Sequence, residues 1–147
     1  MYSNYWNDVT KFNQMYGLPC PSEVAVADNE TLASFVSILT EEVGEAEDIL
    51  ELRTPKDAEA RAVAMADWLG DIIVYCSTFA RRQGLPMGPI VRAIMESNFS
   101  KLGADGQPIY DERGKVMKGP AFFGPEFAIR QIIRVYSRPI DETVYAG

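Results

Sequence analysis

Residues 62–76 read AVAMADWLGDIIVYC, an apolar run that only Asp67, Gly70 and Asp71 interrupt. Thr54 and Pro55, eight residues upstream, supply an N-cap and a first-turn proline, so the spacing predicts one helix from there to about Arg82, before Gly84-Leu85-Pro86. A helix that is apolar all the way round is normally buried on every side. In 147 residues with 47% hydrophobic positions, the other helices of one chain can hardly enclose it completely. Part of its surface, Trp68, Ile72 or Tyr75 included, is therefore expected against a second subunit.

Working outward, residues 30–51 repeat helically through Leu32, Phe35, Val36, Leu39, Val43, Ala46 and Leu50, with Asp28-Asn29 as N-cap chemistry. Residues 5–15 predict a short first helix, residues 88–103 a further one through Ile90, Val91, Ile94 and Met95, and residues 126–136 the last. Between the latter two, five glycines punctuate residues 103–124, and Pro108-Ile109-Tyr110 and Lys115-Val116-Met117 flank a turn, as in a small hairpin or ordered loop. The tail after Pro139 is expected to be loose. The expected architecture is all-α: a four-to-five-helix, bundle-like single domain over residues 1–147, with its core at about 30–137, one short hairpin or loop insertion, and oligomerisation through its helices.

Composition narrows the function. The chain is acidic, net −7 with pI ≈ 4.6, which disfavours a sequence-independent nucleic-acid binder. It contains no histidine, which removes His-based triads, His-ligated zinc and the Glu-x-x-His di-iron bundle together. Cys20 and Cys76 are too few and too far apart for a cysteine zinc site or a disulfide framework. The N-terminus carries no signal-peptide pattern. A membrane span through residues 62–80 would place two aspartates in hydrocarbon at ~3 kcal/mol each. A soluble, cytoplasmic protein with reduced thiols is expected.

The acids lie in a pattern. Ile38, Glu42, Glu45 and Ile49 step by four, three and four, so they stack on one flank of the apolar stripe of their helix. Asp67 and Asp71 are also one turn apart, on the apolar helix. Acids so spaced often form a solvated face, but two ionised carboxylates inside a protein are costly. They call for Lys or Arg partners, protonation or a bound cation. A short turn at residues 53–55 packs the two helices antiparallel, and at ~1.5 Å per residue the two acid pairs fall at similar heights. Four such carboxylates are an all-oxygen donor set, which selects a hard cation: Mg²⁺, with Mn²⁺ a substitute. Magnesium keeps open positions for water and phosphate. Asn98 and Lys101, at i, i+3 near the end of a helix, place an amide and an ammonium where both reach one anion; a lysine there also suits the helix dipole.

Glu41-Glu42-x-x-Glu45, then Asp67-x-x-x-Asp71 on the next apolar helix, then residues 97–103 (SNFSKLG), 105–110 (DGQPIY) and 114–120 (GKVMKGP), resemble the all-α nucleoside triphosphate pyrophosphohydrolases. That superfamily includes MazG-like and phosphoribosyl-ATP pyrophosphohydrolase-like proteins. The resemblance covers roughly residues 32–123. It implies Mg²⁺-dependent hydrolysis of a nucleoside triphosphate to the monophosphate and pyrophosphate by homodimers or homotetramers. It further implies Glu42, Glu45, Asp67 and Asp71 as metal ligands, Glu41 acting on the attacking water, and Asn98 and Lys101 holding phosphate or sugar. The chain departs from the pattern at Trp68, where much of the family carries a glutamate three residues before the aspartate; Asp67 takes that role one residue earlier. The alternative is a non-catalytic acidic helical protein that senses a nucleotide or docks a partner.

Overall fold

The computed structural model describes residues 2–137; the expected loose tail lies outside them. Its backbone contacts group the chain into two units, Met1–Leu85 and Pro86–Gly147. The described secondary structure is all-α apart from an isolated antiparallel bridge.

The first unit contains α1 (Tyr2–Met15), α2 (Asn29–Gly44), α3 (Ala46–Leu50), a 3₁₀ turn at Pro55–Asp57, and α4 (Ala58–Arg82). Helix α4 packs with α1, α2 and α3. Helix α2 starts where the sequence predicts. Asp28 is extended, and its Oδ1 accepts from the Thr31 N–H at 2.7 Å, a bond that also holds the Asp28 carboxyl below its ordinary range. The continuous helix expected over 30–51 is broken at Glu45. The N–H of Glu45 is shared between the carbonyls of Glu41 and Glu42 at 3.3 Å each, directly after Gly44, a residue that costs helix stability. The entry to α4 also differs. Thr54 does not begin the α-helix; its N–H and hydroxyl both donate to Asp57 Oδ2, at 3.1 and 2.7 Å, and close the 3₁₀ turn ahead of it.

Helices α2 and α4 run antiparallel, as expected. Trp68 Nε1 donates to the Glu42 carbonyl at 2.7 Å, and the rings of Phe35 and Phe79 stack 4.0 Å apart at 9°. Advancing along α4 thus retreats along α2. The C-terminal end of α4 is tied to the first helix and the loop after it. Arg81 donates to Thr10 Oγ1 and to the carbonyls of Pro21 and Cys20, while Ala25 N–H donates to the Gln83 carbonyl. Gly84 turns the chain at φ +64°, where a Cβ would run into the Glu23 carbonyl.

The all-round burial expected of α4 is not found within this chain. Val63 is 64% and Ile73 56% exposed, and Asp67 and Asp71 are exposed too. The stripe expected in the core of α2 is likewise half open: Phe35 and Leu39 are half-buried, but Leu32, Val36 and Val43 are exposed. The buried side chains of this unit are few, with Val9, Ile49 and Ala80 among them, because two long helices and the short α3 cannot cover the 25-residue α4. Helix α4 is the described helix long and apolar enough to cross a membrane by length and composition, with mean hydropathy 1.3 over its most apolar stretch.

The second unit packs α5 (Met87–Phe99) against α6 (Glu126–Tyr136) over buried Ile90, Ala93 and Ser97. The expected hairpin reduces to the Tyr110–Val116 bridge, flanked by Met117 N–H to the Ile109 carbonyl at 2.7 Å and Asp111 N–H to the Lys115 carbonyl at 2.9 Å. The loop is laced to the end of α5: Ser97 Oγ donates to the Phe123 carbonyl at 2.8 Å and Gly119 N–H to the Lys101 carbonyl at 2.9 Å. A Cβ on Gly119 would meet the Leu102 carbonyl, so only glycine permits that approach.

Candidate metal and nucleotide site

The α2–α4 pairing decides which acids meet. Trp68 fixes the Glu42 backbone opposite the first half of α4, and Tyr75 lies two turns further along the same helix. Glu42 stands against the Tyr75 phenol, and its charge is the main cause that raises the Tyr75 pKa above its ordinary value of 10.0. The close approach of the same carboxylate adds to the effect, followed by the more distant charges of Asp71 and Glu45. Glu42, Glu45 and Asp71 therefore share one neighbourhood between α2 and α4. Asp67 lies one turn further from Tyr75 along α4.

Among the described residues, no three Asp, Glu or Cys side chains stand close enough together to hold a metal ion. The carboxylates share a flank without converging at ligand distance. They are like charges, Glu42 half-buried and Glu45, Asp67 and Asp71 exposed, and Glu45 sits at the break between α2 and α3 rather than on a continuous helix. Among the described residues, none of these acids has a cationic partner. The ion pairs there are Arg53–Glu51 at 3.3 Å and Arg113–Asp111 at 3.7 Å. The arginines that could have compensated them are spent elsewhere: Arg61 donates to the Leu52 carbonyl and Arg81 holds the 10–21 region. The oxygen donors alone are of the type a hard divalent ion takes, but as placed they do not come together at ligand distance. Glu41 is exposed on α2.

Asn98 and Lys101 belong to the second unit. They are joined to each other, Lys101 Nζ donating to Asn98 Oδ1 at 2.7 Å, so amide and ammonium do share one face at the end of α5. Lys118 lies over the Phe122 ring at 4.5 Å.

The sequence reading did not assemble a recess of about 400 Å³ in the first unit. Phe12, Phe35, Tyr75 and Phe79 form its aromatic walls. Thr31, Ser34 and Thr78 bring hydroxyls, and Glu30 and Arg82 bring opposite charges. Tyr75 belongs both to the recess and to the carboxylate flank. The signal was present: Asp71, Tyr75, Thr78 and Arg82 step by four, three and four on α4, as the glutamate stripe does on α2. It was hidden because aromatic residues at helical spacing read as core.

No family model matches the chain, and no curated protein does. Among solved structures, the chain is similar to the crystal structure of a putative NTP pyrophosphohydrolase from Exiguobacterium sp. 255-15. The identity is 25%, the TM-score 0.53, and the match covers 90% of this chain and 95% of that one. The likeness bears on the fold of nearly the whole chain and agrees, at a coarse level, with a nucleotide hydrolase.

Proposed function

We propose that this chain hydrolyses a nucleoside triphosphate to the monophosphate and pyrophosphate with Mg²⁺, which Mn²⁺ can replace. The observation that carries the reading is that Glu42, Glu45 and Asp71, whose charges all raise the Tyr75 pKa, have no Lys or Arg partner among the described residues. The structural likeness to a putative NTP pyrophosphohydrolase supports it. Glu42, Glu45, Asp67 and Asp71 hold the cation, which when bound neutralises phosphate charge and lowers the pKa of a ligated water. Glu41, next to the ligand pair, orients or deprotonates the attacking water. Asn98 and Lys101 bind phosphate or sugar as a donor pair. Tyr75 lies beside Glu42 and constrains where that carboxylate rests.

The protein acts as a soluble, cytoplasmic homodimer or homotetramer. The exposed apolar faces of α2 and α4, far more open than a buried helix would be, are the reason for assembly. Light scattering at micromolar concentration tests this, and an active 16.4 kDa monomer overturns it. Pyrophosphate release across a panel of nucleoside triphosphates, with and without Mg²⁺, tests the reaction. Release that requires the metal is expected. Release without the metal overturns the Mg²⁺ requirement, and nucleotide bound but intact in a single-turnover assay favours a sensor instead.

A further inference from the structure

The break between α2 and α3 falls at two of the carboxylates that the cation reading uses, and a side chain from another helix is set into it. In a straight α-helix the Glu42 carbonyl accepts from the N–H four residues on, that of Ala46. Here α2 ends at Gly44 and α3 begins at Ala46. The Glu42 carbonyl takes the Trp68 indole N–H at 2.7 Å, while the Glu45 N–H reaches it at 3.3 Å in a bond shared with the Glu41 carbonyl. A side-chain donor inserted into the carbonyl ladder is one of the few causes that interrupt a helix. Glu45, at φ −63° and ψ −15°, makes a turn tighter than an α-helix's, and the Asp48 N–H bonds back to its carbonyl at 3.2 Å. Gly44 is not demanded by space or backbone: a Cβ there meets nothing within 4 Å, and its φ is not positive. The indole is the specific feature of the break.

The same bond sets the level of α4. Trp68 and Asp71 occupy one turn of that helix, so the indole fixes the Glu42 backbone against the Asp71 turn. It also fixes the angle at which the chain leaves Glu42 for Glu45. Glu45 and Asp71 are exposed, and neither has a Lys or Arg partner among the described residues, so their side chains are free to rotate. Their like charges oppose convergence. For them to close on one ion, the backbone beneath them has to be held.

We propose that Trp68 is a positioning residue of the cation site: its indole N–H holds the α2–α3 break and the level of α2 against α4, so that Glu42, Glu45 and Asp71 close on a divalent ion by side-chain rotation alone. This rests on the cation reading above. The indole offers the ion no ligand atom and acts through the Glu42 backbone. Removing a group that holds ligands in place typically costs about 10- to 100-fold in metal affinity.

The test reads Mn²⁺ binding to the full chain by calorimetry, without nucleotide. Trp68→Phe keeps an aromatic ring and removes the N–H, and should weaken Mn²⁺ by about tenfold. Two controls separate positioning from stability. Val9→Ala opens the buried core under α1, away from the bond, and Gly44→Ala favours a straight helix through the break; each should leave Mn²⁺ affinity within about twofold. Far-UV circular dichroism confirms that each variant is folded. Coupling is reciprocal, so in the wild-type chain saturating Mg²⁺ should slow exchange of the Trp68 indole proton by about the same tenfold, and that of Trp6 by less than about twofold. This NMR measurement needs no variant and decides the question if Trp68→Phe does not fold. Unchanged Mn²⁺ affinity in folded Trp68→Phe, an equal loss in Val9→Ala or Gly44→Ala, or indole exchange that ignores Mg²⁺ overturns the positioning role and leaves the pyrophosphohydrolase reading standing. A wild-type chain that binds no Mn²⁺ overturns both.

Discussion

Replacing Trp68 by Phe removes one hydrogen bond and part of one ring from the seam between α2 and α4. The lost bond, Trp68 Nε1 to the Glu42 carbonyl at 2.7 Å, ties residues 26 apart in sequence and is partly buried. The carbonyl is not orphaned, because it still accepts from the Glu45 N–H at 3.3 Å. The cost is therefore near the net value of one hydrogen bond, ~1 kcal/mol, and not the larger penalty of a stranded acceptor. The smaller ring removes some buried apolar area, bringing the total to about 1–2 kcal/mol. With a urea m-value of ~1–3 kcal/mol/M, the midpoint should fall by roughly 0.5–1 M at unchanged m. Circular dichroism is the appropriate probe, since the substitution removes one of the chain's two tryptophans. The site should feel the change as well. Glu42, no longer held, should drift from Tyr75, and the tyrosine should titrate closer to its ordinary value. A midpoint that moves by less than about 0.1 M would refute the reasoning. The α2–α4 alignment would then rest on the Phe35–Phe79 stack and the surrounding apolar contacts, not on this bond.

Asp71→Asn keeps shape and removes one charge from an acidic flank. Metal-dependent pyrophosphate release should fall by orders of magnitude while the metal-free protein is as stable as wild type or more so, since repulsion is relieved; a marked loss of apo stability in thermal melts would identify a structural role instead. Lys101→Ala should weaken nucleotide binding by ~1.5–3 kcal/mol and leave Mg²⁺ affinity nearly intact, as read by calorimetry. Glu41→Gln should leave both affinities close to wild type and lower kcat; unchanged turnover would shift the base role to another carboxylate. In the metal-free protein Tyr75 should ionise above the ordinary tyrosine pH, and Glu42→Gln should bring its absorbance titration back down. The sign for stability follows. A folded pKa above the unfolded one gives a contribution that is whole below about pH 10 and is lost as pH rises through the folded value, so Glu42→Gln should soften alkaline unfolding.

Local chemistry was enough to place the helices. The Asp28 cap, the glycine–proline stop after α4, and the start and end of α6 follow from residue type and spacing within a few positions, because caps and breakers act over one turn. The antiparallel pairing of α2 with α4, and the common level of Glu42 and Asp71, followed from a short connection and a fixed rise per residue. Spacing could not say how completely a helix is covered. That depends on how many neighbours reach it, and α4, read as enclosed, leaves Val63 and Ile73 in the open within this chain. The break at Glu45 goes with one backbone N–H shared between two carbonyls, and the recess between Phe12, Phe35 and Arg82 comes from three helices meeting. Neither has a period that one strand of sequence can display. The sequence by itself determined which carboxylates lie on which face; only the tertiary structure decided that the charges of Glu42, Glu45 and Asp71 all reach Tyr75, because the distance between two helix faces is set by the side chains wedged between them, here Trp68 and the Phe35–Phe79 pair.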